Sequence, residues 1–179
     1  MSSDKEDIEF LKGCLKSYPD FPNKGILFQD IFSLLSQPEA FGKLKKLLVS
    51  RAKTVAPQID VVVGLDSRGF LFGPIIALEL GIPFLPVRKK GKLPGKVFTE
   101  SYQLEYGEDI LEMQDGVIKE GQKALIVDDL IATGGTMEAA CKLVQRAGGS
   151  VSCCLVVIEL TELRGREKLV APVEYLMQY

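Results

Sequence analysis

Residues 124 to 136 read ALIVDDLIATGGT, an apolar run followed by two adjacent carboxylates and then by paired glycines between threonines. Four apolar residues in a row predict a buried strand, and consecutive strand residues point to opposite faces of a sheet. Asp128 and Asp129 therefore serve one ligand together only if the chain is leaving the strand there. Two unpaired carboxylates inside a sheet would also cost several kcal/mol each, roughly, so the expectation is a solvated position at its rim. Just beyond, Gly134 and Gly135 permit a tight turn whose amides face one concavity, and Thr136 adds a hydroxyl where a helix begins. A helix dipole at that point favours an anion. Acids suit hydroxyls and amides suit a phosphate, so the pattern fits a sugar phosphate. Aspartate, threonine and glycine also make an ordinary helix entry; the doubled acid at a strand end is what favours the ligand.

Other chemistries are excluded by inspection. No GxGxxG occurs, so the dinucleotide fingerprint is missing. Gly64-Leu65-Asp66-Ser67-Arg68-Gly69 has the glycine spacing of a P-loop, but Phe70-Leu71 stand where Lys-Ser or Lys-Thr belongs. The chain has no histidine, which removes Ser-His-Asp and Cys-His catalysis. Proton transfer falls to Asp, Glu, Lys, Tyr or water. Cys14, Cys141, Cys153 and Cys154 form no CxxC pair, and without histidine the usual zinc sites have no ligand set. Reduced thiols in a cytoplasmic protein are the expectation.

The elements that must position these residues follow from periodicity. Phe41, Leu44, Leu48, Ala52 and Val55 recur at helical spacing against a wet face of Lys43, Lys45, Lys46 and Arg51, predicting a surface helix that ends near Pro57. DVVVGLDSRGF then reads as strand and loop, leading into a buried helix up to Leu80, and PFLPV at 83 to 87 as a further short strand. RKKGKLPGKVFTESYQLEYG, rich in cations and glycine, reads as an excursion from the core. After ALIVDD, the positions Met137, Ala140, Cys141 and Val144 share one helical face before Gly148-Gly149, and SVSCCLVVIEL is a third apolar run. Continuous apolar strands alternating with helices predict an α/β fold: an open, mostly parallel sheet flanked by helices. In such sheets ligands sit outside the carboxyl ends of the strands, so the loops after Gly64, Val87 and Val127 should share one crevice.

With 179 residues, the chain is expected to form a single domain, 1–179. A net charge of −2, with 22 basic and 24 acidic residues intermixed, offers no field for nucleic acid or a membrane surface. MSSDKEDIEF lacks the apolar core of a secretory signal, and GFLFGPIIAL falls short of the ~18 residues of a membrane span. The expected setting is the cytoplasm and the expected ligand is small.

The run IVDD followed by TGGT resembles the signature of the type I phosphoribosyltransferase family, which binds 5-phosphoribosyl-1-pyrophosphate (PRPP). FPNKGILFQDI, VGLDSRGFLFGP, RKKGKLPG, SYQLEYG and ELTELRGREKL extend the likeness over nearly the whole chain and resemble the family members that act on adenine. The resemblance implies transfer of the phosphoribosyl group to adenine N9, giving AMP and pyrophosphate, with Mg²⁺ held mainly through PRPP and no certain protein ligand. It implies that Asp128 and Asp129 hold the ribose hydroxyls and that Ala132, Thr133, Gly134, Gly135 and Thr136 cradle the 5′-phosphate. Arg68, Arg88 and Lys92 would meet the pyrophosphate, although RKKGK also reads as a solvated basic turn or a localisation tag. Adenine would be gripped by Leu27, Phe28 and Gln29 in an amino-terminal hood, 1–35, and by Leu130 and Ile131 as an apolar wall. Phe28 equally suits core packing, and Gln29 stands where many relatives carry arginine. A mobile loop, 96–108, would bring Glu105 to the purine as a catalytic carboxylate beside Arg68. A homodimer is implied. The alternatives are an enzyme for another purine and a non-catalytic PRPP-binding regulator, the latter needing a nucleic-acid-binding face that the sequence does not display.

Overall fold

The computed structural model describes residues 2–55, 58–103 and 107–179. The chain divides into two compact units, 1–47 and 48–179.

In the first unit, helix α1 (Ser2–Cys14) leads to a two-stranded antiparallel hairpin, β1 (Lys16–Pro19) and β2 (Leu27–Asp30), in which Ser17 pairs with Gln29. The short α2 (Phe32–Leu35) follows, and α3 (Pro38–Val55) starts in this unit. Leu11, Leu34, Ala40 and Leu44 are completely buried. Asp7 is held between Lys43, at 2.6 Å, and Lys46, at 3.3 Å. The helix predicted from Phe41 is α3, and its last residue, Val55, is the last that the helical spacing named.

The second unit is built on one sheet. Among the described residues its strands are β3 (Val61–Leu65), β4 (Phe84–Lys89), β5 (Val97–Gln103), β6 (Glu108–Gln114), β7 (Lys123–Ile131), β8 (Ser150–Glu159) and β9 (Val173–Gln178), in the order β5-β6-β4-β3-β7-β8-β9. From β4 to β9 in that order all neighbours are parallel, whereas β5 and β6 form an antiparallel hairpin on the β4 edge. Helices α4 (Gly73–Leu80) and α5 (Gly135–Arg146) supply the crossovers that parallel pairing needs. β3 is buried along its whole length, as its β-branched run requires. The mostly parallel α/β sheet is therefore as expected.

The segment read as an excursion is different. Residues 97 to 103 are strand, paired residue for residue with 108 to 114, so most of the expected loop 96–108 belongs to the sheet. Thr99, Ser101 and Gln103 face solvent while Phe98 and Tyr102 pack on the core. That half-polar alternation is the mark of a strand wet on one side, and the glycines and lysines before Val97 obscured it.

Candidate active site

β7 outruns its neighbour. Its last partner on β3 is Val127, opposite Gly64, while β8 continues alongside as far as Ile131, opposite Glu159. A step is thus left at the carboxyl end of the sheet, and a 3-10 turn, Arg68–Leu71, crosses it. The cavity there, about 200 Å³, is lined by Arg68 and by every residue from Asp128 to Met137. Of the loops expected after Gly64, Val87 and Val127 to share one crevice, those after Gly64 and Val127 line this cavity and the one after Val87 does not; the cavity gathers both carboxylates with the whole Ala132–Thr136 turn.

Two expectations about the carboxylates need correction. The chain does not leave the strand at Asp128, because β7 runs on to Ile131. Nor do both acids lie at a solvated rim: Asp128 is half-buried and Asp129 only 6% exposed. Arg68 supplies the reason, its Nε standing 2.6 Å from Asp129 Oδ2, so that the buried acid is paired. The Asp128 carboxylate accepts the Asp129 amide at 2.9 Å. Burial and then the Asp129 charge push the Asp128 carboxyl well above the ordinary carboxylate range.

The turn is held from behind. Gly134 has φ +82° and stands as N-cap of α5, with Thr136 in the first turn of the helix, as expected. Gly165, from the segment after β8, lies against this turn so closely that a β-carbon on it would stand 2.8 Å from the Gly134 amide nitrogen and collide with the Ala132 carbonyl. What fixes Gly165 is its neighbour Arg166, which grips the buried Glu159 with Nε to Oε1 at 2.5 Å and Nη2 to Oε2 at 3.0 Å. Gln178 donates to the same carboxylate at 3.0 Å. Sequence reasoning missed this support; its only local signal was a lone glycine between two arginines.

Arg88 and Lys92 do not line the cavity. Both turn to Asp66, with Arg88 Nε at 2.9 Å and Lys92 Nζ at 3.9 Å from Oδ2. Arg88 also stacks 5.8 Å from the Phe70 ring centre, in the turn that carries Arg68. Arg88 and Lys92 are thus brought together on Asp66, apart from the cavity that Arg68 lines.

Leu130 is half-buried and Ile131 is buried, and both line the cavity. In the first unit, Leu27 is 54% exposed and Phe28 packs edge-on against Phe21 with centroids 5.1 Å apart. Gln29 is buried, and its side-chain oxygen accepts the Ser17 hydroxyl at 2.7 Å. Glu105 lies outside the described residues; Gln103, two residues before it, ends β5 with its carbonyl oxygen 3.4 Å from where a β-carbon on Gly135 would stand. Among the described residues no group of three or more His, Cys, Asp or Glu side chains could hold a metal, and no helix is long and apolar enough to cross a membrane. The cysteines are free, and three of them are buried.

The sequence pattern of the phosphoribosyl transferase domain matches residues 31–175. Adenine phosphoribosyltransferase of Drosophila pseudoobscura pseudoobscura is 49% identical over 177 residues, covering 99% of this chain and 98% of that one. The Saccharomyces cerevisiae enzyme, solved with an imino-altritol bisphosphate and adenine, superposes with a TM-score of 0.93 at 45% identity, covering 96% and 99% of the two chains. The Trypanosoma brucei enzyme, solved with AMP, pyrophosphate and ribose-5-phosphate, gives 0.89 at 29% identity, covering 99% and 82%.

Proposed function

The chain belongs to the phosphoribosyltransferase family, in its adenine branch, and from that premise we propose how its residues divide the reaction among them. The protein is an adenine phosphoribosyltransferase of purine salvage, moving the phosphoribosyl group of PRPP to adenine N9 with release of pyrophosphate and AMP. The observation that carries the division of roles is the single cavity in which a bare-backbone turn at a helix start adjoins two carboxylates and an arginine.

Ala132 to Thr136 cradle the 5′-phosphate with amides, the Thr136 hydroxyl and the positive end of α5. Asp128 and Asp129 hold the ribose hydroxyls; the unfavourable ionisation of Asp128 suits a group that gains partners when substrate arrives. Arg68 leans on Asp129 and turns its charge to the pyrophosphate as that group departs. Arg88 and Lys92, poised on Asp66, meet the outer end of the same pyrophosphate. Magnesium fits this site as an ion that brings most of its oxygens with PRPP, since the cavity offers hard carboxylates without a protein cage. When bound, it neutralises pyrophosphate charge.

Adenine is assigned to Leu27, Phe28 and Gln29, with Leu130 and Ile131. The Gln29 side chain is already committed to Ser17, which leaves its backbone for the base. β2 has a strand on one side only, so alternate amides and carbonyls are open for that pairing. Glu105 is the carboxylate that handles the purine proton, and Glu105→Gln lowers the chemical step about 10²- to 10⁴-fold with PRPP affinity nearly unchanged. A step within twofold of the parent in pre-steady-state turnover removes that role. The protein works in the cytoplasm, consistent with free cysteines, and as a homodimer. α4 supports the dimer, being apolar at nearly every position and exposing 82% of Leu78.

Incubation with PRPP, Mg²⁺ and each purine in turn tests the whole reading. AMP from adenine, with no nucleotide from hypoxanthine, guanine or xanthine, is the expected result. PRPP binding without any turnover overturns it.

A further inference from the structure

The turn after β4 is clipped by side chains of β6. Glu112 on that strand is only 5% exposed, and its Oε2 accepts the Gly91 amide at 2.9 Å. Two residues on, and so on the same face of the strand, Gln114 donates from Nε2 to the Pro94 carbonyl at 3.1 Å. Lys92 lies between these two anchored points. Glu112 also stands directly opposite Arg88 in the antiparallel pairing of β4 with β6.

The Arg88 guanidinium is engaged with the turn itself. Its Nε goes to Asp66 and its Nη1 donates to the Lys92 carbonyl at 3.2 Å, while Lys92 Nζ reaches the same Asp66 oxygen. The Lys92 backbone thus decides whether the two cations stay together, and the bond from Gly91 to Glu112, one residue earlier, fixes that backbone. Satisfying the backbone does not by itself call for this bond. Gly91 and Lys92 are exposed, so water could serve the Gly91 amide, whereas burying a carboxyl costs free energy. What the bond provides is a turn ordered before a ligand arrives.

We propose that Glu112 is a positioning residue for pyrophosphate: through the Gly91 amide it holds the turn on which Arg88 and Lys92 converge, and so sets how tightly that end of PRPP is gripped. This rests on the reading of Arg88 and Lys92 as pyrophosphate ligands. Because Glu112 acts only through this turn, a ligand that carries the 5′-phosphate without the pyrophosphate is indifferent to it.

The test is calorimetric titration of the full chain with PRPP and Mg²⁺ and, separately, with ribose 5-phosphate. Glu112→Leu keeps a side chain of similar size without an oxygen, and Glu112→Gln keeps an oxygen that can accept the Gly91 amide. Glu112→Leu is expected to bind PRPP roughly 3- to 10-fold more weakly, the worth of one hydrogen bond, with ribose 5-phosphate unchanged. Glu112→Gln is expected to bind both as the parent does. Glu112→Ala, which removes the same oxygen without a new branch, must show the leucine pattern and decides the matter if leucine prevents folding. In Arg88→Ala/Lys92→Ala, where the turn has no cation left to position, Glu112→Leu should cost no further PRPP affinity. Unchanged PRPP binding, an equal loss for the two ligands, a glutamine variant as weak as leucine, or the full loss repeated in the double-alanine background overturns the proposal. If Arg88→Ala/Lys92→Ala itself binds PRPP like the parent, the pyrophosphate reading beneath the proposal falls first.

Discussion

Two loops at the same end of the sheet are equipped for anions in opposite ways. The turn from Ala132 to Thr136 has no cation and relies on backbone fixed by Gly134 and by the Gly165 segment behind it. The carboxyl end of β4 and the turns after β3 and β4 carry Arg68, Arg88 and Lys92, and each is paired with an acid, Asp129 for the first and Asp66 for the others. Amides need no counter-ion when the site is empty, so they can stay rigid and unchanged. Half-buried cations do need one, and internal carboxylates hold them in readiness at the cost of an exchange when the ligand arrives. That contrast matches the proposed division of roles, in which the turn holds the 5′-phosphate, which stays on the ribose throughout, and the cations hold the pyrophosphate, which must be gripped and then released.

The largest effect should follow from removing Arg68, the cation proposed to switch from Asp129 to pyrophosphate. Arg68→Ala is expected to lower kcat about 10²- to 10³-fold, the range seen when one transition-state donor is lost, with a smaller change in adenine KM. It also leaves Asp129 buried and unpaired, so the variant should be less stable in urea unfolding. Adding Asp129→Asn removes the unpaired charge, so stability should return while turnover stays low, and PRPP affinity measured beside turnover reports the separate loss of the Asp129 contact. Recovery of turnover in the double variant would show that Arg68 merely neutralises Asp129, and the contrast between the loops would collapse.

The fixed turn is probed at Gly134. Alanine there must adopt a left-handed backbone, costing about 1–2 kcal/mol, and its β-carbon would collide with the Gly165 carbonyl. Gly134→Ala should lose about 2–4 kcal/mol of stability in total and bind ribose 5-phosphate at least about tenfold more weakly. Arg88→Ala, at a partly exposed pair, should stay within about 1 kcal/mol of the parent. A Gly134→Ala protein that melts and binds like the parent would remove the case for a rigid cradle.

What the sequence disclosed, and what it concealed, follows the same division. The cradle is contiguous, so ALIVDDLIATGGT displays it whole, and the apolar runs of β3, β7 and β8 announce the parallel sheet around it. The ion pairs join residues far apart in the chain, such as Arg68 with Asp129 and Arg88 with Asp66, and no spacing rule relates them. Lacking the Arg68 partner, sequence reasoning put Asp129 in solvent, where an unpaired acid belongs. Gly165 escaped notice because its importance lies in the Ala132 and Gly134 backbone that it touches. The β5–β6 hairpin was hidden by its own polar outer face, with Thr99, Ser101 and Gln103 reading as loop.

The smallest effect, on stability at least, tests whether the acid end of the cavity is strained while empty. The Asp128 carboxyl is pushed well above its ordinary range by burial and by Asp129 beside it. Below about pH 3 the group is neutral both in the fold and in the unfolded chain, and contributes no difference. As the pH rises, the unfolded chain ionises first, so the fold binds the extra proton and loses stability until the pH has passed the raised folded value. An amide in place of this carboxyl would carry no such penalty, and its oxygen can still accept the Asp129 amide that Asp128 accepts at 2.9 Å. Asp128→Asn should therefore melt above the parent near pH 7 by a few degrees, at roughly 2–4 °C per kcal/mol for a chain of this size. The gain should shrink as the pH is brought down toward about 4. Binding of PRPP should weaken in the same variant, since Asp128 is proposed to hold the ribose hydroxyls. Thermal melts of both proteins across this range, without ligand, decide the matter. A gain independent of pH would assign the effect to packing, and a loss near pH 7 would mean that the Asp128 charge is already compensated in the empty protein.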